Sequence, residues 1–80
     1  MSIFNRLNEE LSFLSFNMNK LTMKFVDGST WSINPGDLSK VVCWSPTSRV
    51  IVSKSESPIY PYKIANLDTS GPDEILASLR

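Results

Sequence analysis

Leu21-Thr-Met-Lys-Phe-Val-Asp-Gly-Ser-Thr-Trp-Ser-Ile33 is the stretch whose pattern decides how the chain is built. Leu21, Met23 and Phe25 alternate with Thr22, Lys24 and Val26, then Asp27-Gly28-Ser29 supplies turn chemistry before Trp31 and Ile33. Alternation with period two, interrupted by a glycine-containing turn, reads as a β-hairpin. The turn length follows from the side chains, because a slip of one residue moves a whole strand face to the other side. A three-residue loop keeps Leu21, Met23, Phe25, Trp31 and Ile33 on one face, with Gly28 or a neighbour at positive φ in a bulged turn. That one-sided face is expected to be core.

Upstream, Ile3, Phe4, Leu7, Leu11 and Leu14 recur at helical spacing, with Ser2 placed to cap and Asn5, Asn8, Glu9 and Glu10 on the other side. The spacing predicts a helix near 3–14, docked on the sheet. Phe13 and Phe16 fall off its stripe, so the helical pattern decays there and an alternating one replaces it.

Downstream, Asn34-Pro35-Gly36-Asp37 reads as a second turn, with a left-handed residue after the proline. Residues 41–44 and 49–52 flank Ser45-Pro46-Thr47-Ser48 and read as a second hairpin, setting Trp44 opposite Arg49 and Cys43 opposite Val50. Residues 59–65 read as a last strand, and Pro61, which cannot donate to a ladder, makes it an edge. Ser70-Gly71-Pro72-Asp73-Glu74 reads as a helix start, docked through Ile75, Leu76 and Leu79. The sum is an α+β domain: an N-terminal helix, a four- to five-stranded antiparallel sheet and a short C-terminal helix. The alternative that many short strands permit is a small SH3-like or OB-like β-barrel.

Eighty residues, 41% of them apolar, make a single domain spanning 1–80 with a thin stability margin of about 5 kcal/mol. Cys43 is the only cysteine, so no disulfide forms within the chain, and a lone thiol fits a reducing compartment. No apolar run approaches the roughly 18 residues of a membrane span, and the first residues are no signal peptide. The expected location is cytoplasmic. Eight cations balance eight anions, which removes the broad positive field typical of nucleic-acid binders. Locally, residues 38–65 carry Lys40, Arg49, Lys54 and Lys63 against Glu56 alone, and Asp68, Asp73 and Glu74 follow near the end.

Histidine is absent, which excludes imidazole bases, Ser-His-Asp and Cys-His arrangements and histidine metal ligands. Cys43 lies in an apolar run with no base beside it and reads as a buried core residue. The three glycines are isolated in turns, so no phosphate loop exists. Asp68, Ser70 and Asp73 match no calcium-loop spacing. No cofactor and no metal is expected, and no enzymatic activity.

What remains is a surface. Pro58 to Lys63 has PxxPxK spacing, but it lies in a predicted strand and not in a free polyproline segment. Tyr60 and Tyr62 on one strand face, with Lys54, Lys63, Arg49 and Trp44 in the same region, form the candidate interaction surface; rigid rings bury area at little entropic cost. Half-burial of both tyrosines in a small core is the competing structural role. The expected function is a stoichiometric protein-protein interaction module, an inhibitor or adaptor of the size and composition found in phages and mobile elements. Two alternatives are a sequence-tolerant nucleic-acid binder using the basic and aromatic residues of 38–65, and a subunit that self-associates through the edge strand 59–65. No membrane partner is expected.

Overall fold

A computed structural model describes residues 7–45, 47–68 and 73–80. The expected hairpin is present: β2 (Thr22–Phe25) pairs with β3 (Thr30–Ile33) in the register Met23↔Trp31 and Lys24↔Thr30. Its loop is Val26-Asp27-Gly28, closed by the Phe25 amide donating to Ser29 O at 3.1 Å, and Gly28 takes φ +89°. Asp27 Oδ1 accepts from both the amide and the hydroxyl of Ser29, and Ser29 Oγ accepts from the Trp31 indole at 3.0 Å. The turn therefore also satisfies the polar atom of a fully buried tryptophan. Met23, Phe25, Trp31 and Ile33 are all buried, each contributing about 1.5–3 kcal/mol on the scale of aliphatic and aromatic side-chain transfer.

Around this hairpin the remaining elements are β1 (Glu10–Asn17), a 3-10 turn (Pro35–Asp37), the single-turn helix α1 (Leu38–Val41), β4 (Arg49–Lys54), β5 (Tyr62–Asn66) and β6 (Asp73–Leu79). All pairings are antiparallel, and the strand order β1-β2-β3-β6-β5-β4 closes on itself as a six-stranded barrel. Two three-strand meanders are thus joined by β3–β6 and β1–β4. The small-barrel alternative describes this architecture, and the α+β arrangement does not.

Each strand sends alternate residues inward: Leu11 and Phe13, Met23 and Phe25, Trp31 and Ile33, Val50 and Val52, Ile64 and Asn66, Ile75 and Ala77. Asn66 is the one polar member of these pairs. Its Oδ1 accepts from the Asp68 amide at 2.8 Å and so shapes the chain leaving β5, while its buried Nδ2 has no partner among the described residues.

Four expectations are corrected. The N-terminal helix near 3–14 is instead strand over 10–14, and its first four positions lie outside the described residues. Leu11 and Phe13 face the core at a spacing of two, and Leu14, which would have continued the helical stripe, is exposed. Residues 41–44 form no strand: they end α1 and the turn after it, so Trp44 has no cross-strand contact with Arg49. Arg49 pairs with Ser12 instead. Cys43 is accordingly exposed, its thiol 3.6 Å from Ser39 O. The last expected strand is shorter, Tyr62–Asn66, with β4 on one side and β6 on the other, so it is no edge; Pro61 precedes it and lends only its carbonyl, to the Ser55 amide. Finally, residues 73–79 form β6 and not a helix. Ile75, Ala77 and Leu79 alternate as well as Ile75, Leu76 and Leu79 follow a helix, and pairing to both β3 and β5 decides between them. The predicted cap at Ser70 and Pro72 lies outside the described residues.

Asn34 does start a turn, accepting from the Gly36 amide, but Gly36 does not take positive φ. Asp37 at the end of that turn accepts from the Leu76 amide at 2.9 Å, tying the connection to β6.

A Cβ at Gly28 would meet nothing within 4 Å, so substitution there acts through φ alone. Gly28→Ala is expected to lower stability by about 1 kcal/mol with an unchanged denaturant slope, measured by equilibrium urea unfolding.

Candidate interaction surface

β1 holds one residue more than β2 can match. Its register runs Phe13↔Phe25, then Ser15↔Lys24 and Phe16↔Met23, so Leu14 is the extra residue of a β-bulge. Before the bulge Leu11 and Phe13 point inward; after it the phase shifts by one and Phe16, half-buried, packs on the core. Leu14 is turned out, 46% exposed.

The bulge lies where β1 outruns its other neighbour. β4 pairs with β1 only at Glu10, Leu11 and Ser12, and Phe13 then bonds to the loop ahead of β4, its amide donating to Ser48 O and its carbonyl accepting from the Thr47 amide. Beyond Phe13 that side of β1 borders a groove of about 390 Å³. Phe13, Leu14, Phe16 and Met18 line one wall; Val41, Val42 and Trp44, at the end of α1, line the other. Met18 is 59% and Val42 51% exposed. Phe13 meets Trp44 edge-to-face at 6.3 Å, and the Trp44 indole donates to Asp73 Oδ2 of β6, which fixes the far wall to the barrel.

The structure divides the six residues singled out by sequence: β4–β5 pairing sets Lys54 opposite Tyr62, with Tyr60 two residues before it, while Trp44 and Arg49 lie apart from them. Trp44 is buried, with its indole committed to Asp73. Arg49 and Lys54 stand at opposite ends of β4, five steps or about 17 Å apart. Tyr62 is half-buried and meets Trp31 edge-to-face at 5.3 Å, so it belongs to the core rim. Tyr60 lies in the loop before β5, its amide donating to Ser57 Oγ, and does not share a strand face with Tyr62. Lys63 Nζ is 3.7 Å from Glu74 across the β5–β6 pair. Only Trp44 reaches the groove; Leu14, Met18 and Val42 were not anticipated, though the break in the helical stripe at Phe13 and Phe16 marks the bulge that exposes Leu14.

Most of the basic region is neutralised by acids from elsewhere in the chain. Arg49 grips Asp68 through Nε and Nη2 at 3.0 and 2.8 Å, also approaches Glu10 at 3.5 Å, and donates its own amide to Asp68 Oδ2. Lys40 lies 3.7 Å from Asp37 and donates to Glu74 O, walling a second, polar groove with Lys63 and Glu74. Among the described residues of 38–65, Lys54 is the one cation without an ion pair. The contacts with Arg49, side chain first and then backbone, hold the Asp68 carboxyl below the ordinary carboxylate value, and Asp68 holds the Arg49 guanidinium above its own. Asp68 and Asp73 thus serve Arg49 and Trp44. The described residues contain no cluster of metal-ligating side chains, and no described helix is long and apolar enough to cross a membrane.

No protein family, curated protein or solved structure matches the chain.

A carboxyl whose pKa is depressed by folding adds stability that is present above its unfolded pKa and lost as pH falls through the folded value. The Arg49–Asp68 contribution should therefore be full near neutrality and fade below about pH 4. Asp68→Asn is expected to be less stable than the parent at pH 7, with the gap narrowing on acidification; a pH series of urea midpoints measures it.

Proposed function

We propose that the protein is a non-catalytic module that binds another protein stoichiometrically, as an inhibitor or adaptor does, through the apolar groove between the bulged half of β1 and the end of α1. The observation that carries this reading is the exposure of Leu14, Met18 and Val42 around one concave site, in a domain too small to leave such residues outside its core without cost. Buried rings, Phe13 and Trp44, back the groove and make it rigid, and rigid apolar sites surrounded by smaller contacts are where binding energy concentrates. The paired state of Arg49, Lys40 and Lys63 favours a protein partner over phosphates, because cations already held by carboxylates release fewer counterions on binding.

The test is retention of a partner from a nuclease-treated lysate of the source cell by the parent, by Leu14→Asp and by Tyr60→Ala, each first shown to unfold cooperatively. One protein should be held in a one-to-one ratio by the parent and by Tyr60→Ala, at low and at high salt, and at least about tenfold more weakly by Leu14→Asp. Loss of retention on nuclease treatment, or full retention by a folded Leu14→Asp, overturns the proposal.

A further inference from the structure

The groove runs beside an open strand edge. In β2, Leu21 O accepts from Ile33 N and Phe25 N donates to Ser29 O, while Val26 N donates to Ser12 O. By the alternation of an antiparallel ladder, Thr22 and Lys24 face β1, so their partners Asn17 and Ser15 face β2. Phe16, between them, directs its N–H and C=O to the opposite side, which is the groove. Among the described residues no backbone pairs with that side of β1 beyond Phe13. A backbone donor and acceptor beside an apolar cleft form a template for an incoming strand.

The uncommitted charges around it have one sign. Lys20, two residues from Met18, and Lys24, across from Ser15 in the β1–β2 pair, have no ion pair among the described residues, whereas Asp73 is committed to the Trp44 indole and Lys40 to Asp37. We infer that the open edge of β1 at Phe16 takes up an extended segment of a partner protein, apolar at alternate positions and acidic at its flanks, as an added strand between β1 and α1. The inference rests on the protein-binding reading above and specifies its mode. The bulge makes the mode workable: it lies just past the last pairing with β4 and turns Leu14 outward beside Phe16 on one wall of the groove. Alternate side chains of the added strand would enter the groove, while its acidic flanks would meet Lys20 and Lys24. A second copy of this chain docking edge to edge would bring those lysines against their own kind, which opposes association.

The experiment selects random heptapeptides displayed on phage against the full chain, then follows a synthetic selected peptide by amide hydrogen exchange. The selected sequences should alternate apolar residues and carry Asp or Glu at their ends. On binding, exchange at the Phe16 amide should slow at least about tenfold. N-methylation should weaken binding at least about tenfold at the peptide positions that face β1, and little at those between. Leu14→Asp and Lys20→Glu should each weaken it, the second only for acidic peptides. Peptides that bind without protecting Phe16, a basic consensus, or a dimer of the free protein that protects Phe16 would each overturn strand addition. If no peptide is selected while the lysate partner is still retained, strand addition falls and protein binding stands; if both fail, both readings fall.

Discussion

Leu14 has no counterpart in β2, and the barrel is arranged around that mismatch. Without the extra residue, the inward phase set by Leu11 and Phe13 would continue to Ser15 and Asn17, placing two polar side chains in the core and Phe16 in solvent. With it, Phe13 and Phe16 both reach the interior and the strand bends. The bend comes just past the start of β4 at Arg49, so β1 can follow β2 on one side without a strand on the other. The shape of the groove and the outward turn of Leu14 both derive from that one residue.

Topology also decides what the charges do. Along the chain the cations of 38–65 precede the acids near the end, and a linear reading sees a basic region. Folding lays β5 between β4 and β6, which sets Arg49 near Asp68 and Lys63 near Glu74. The same placement commits Asp73 to the Trp44 indole. Exposed pairs of this kind stabilise weakly, and their larger consequence is to leave a surface whose distinctive feature is apolar.

The legible parts of the fold were those in which one local signal excludes its rivals. The β2–β3 hairpin is such a case: alternation, a glycine turn and the need to keep Trp31 with Phe25 admit a single loop length. Elsewhere two periods fit the same letters. Leu7, Leu11 and Leu14 follow a helix, yet Leu11, Phe13 and Phe16 follow a strand with one residue inserted, and only the partners across the sheet separate the two. Residues 75–79 share that ambiguity, and both segments resolve to strand because each pairs on two sides. The candidate surface was less legible because it depends on non-local facts: where β4 begins relative to β1, and where the end of α1 lies. Trp44 belongs to the surface legible in the sequence, but it walls the groove and braces it through Asp73, and the tyrosines sit elsewhere.

The two seams that close the barrel also bear on how it assembles. Pairing within each meander joins neighbours in sequence, whereas β1–β4 links Leu11 to Val50 and β3–β6 links Ile33 to Ala77. Closing such long loops costs entropy before any contact repays it. Each meander should therefore gain partial order early, with the rate-limiting event being their docking along both seams.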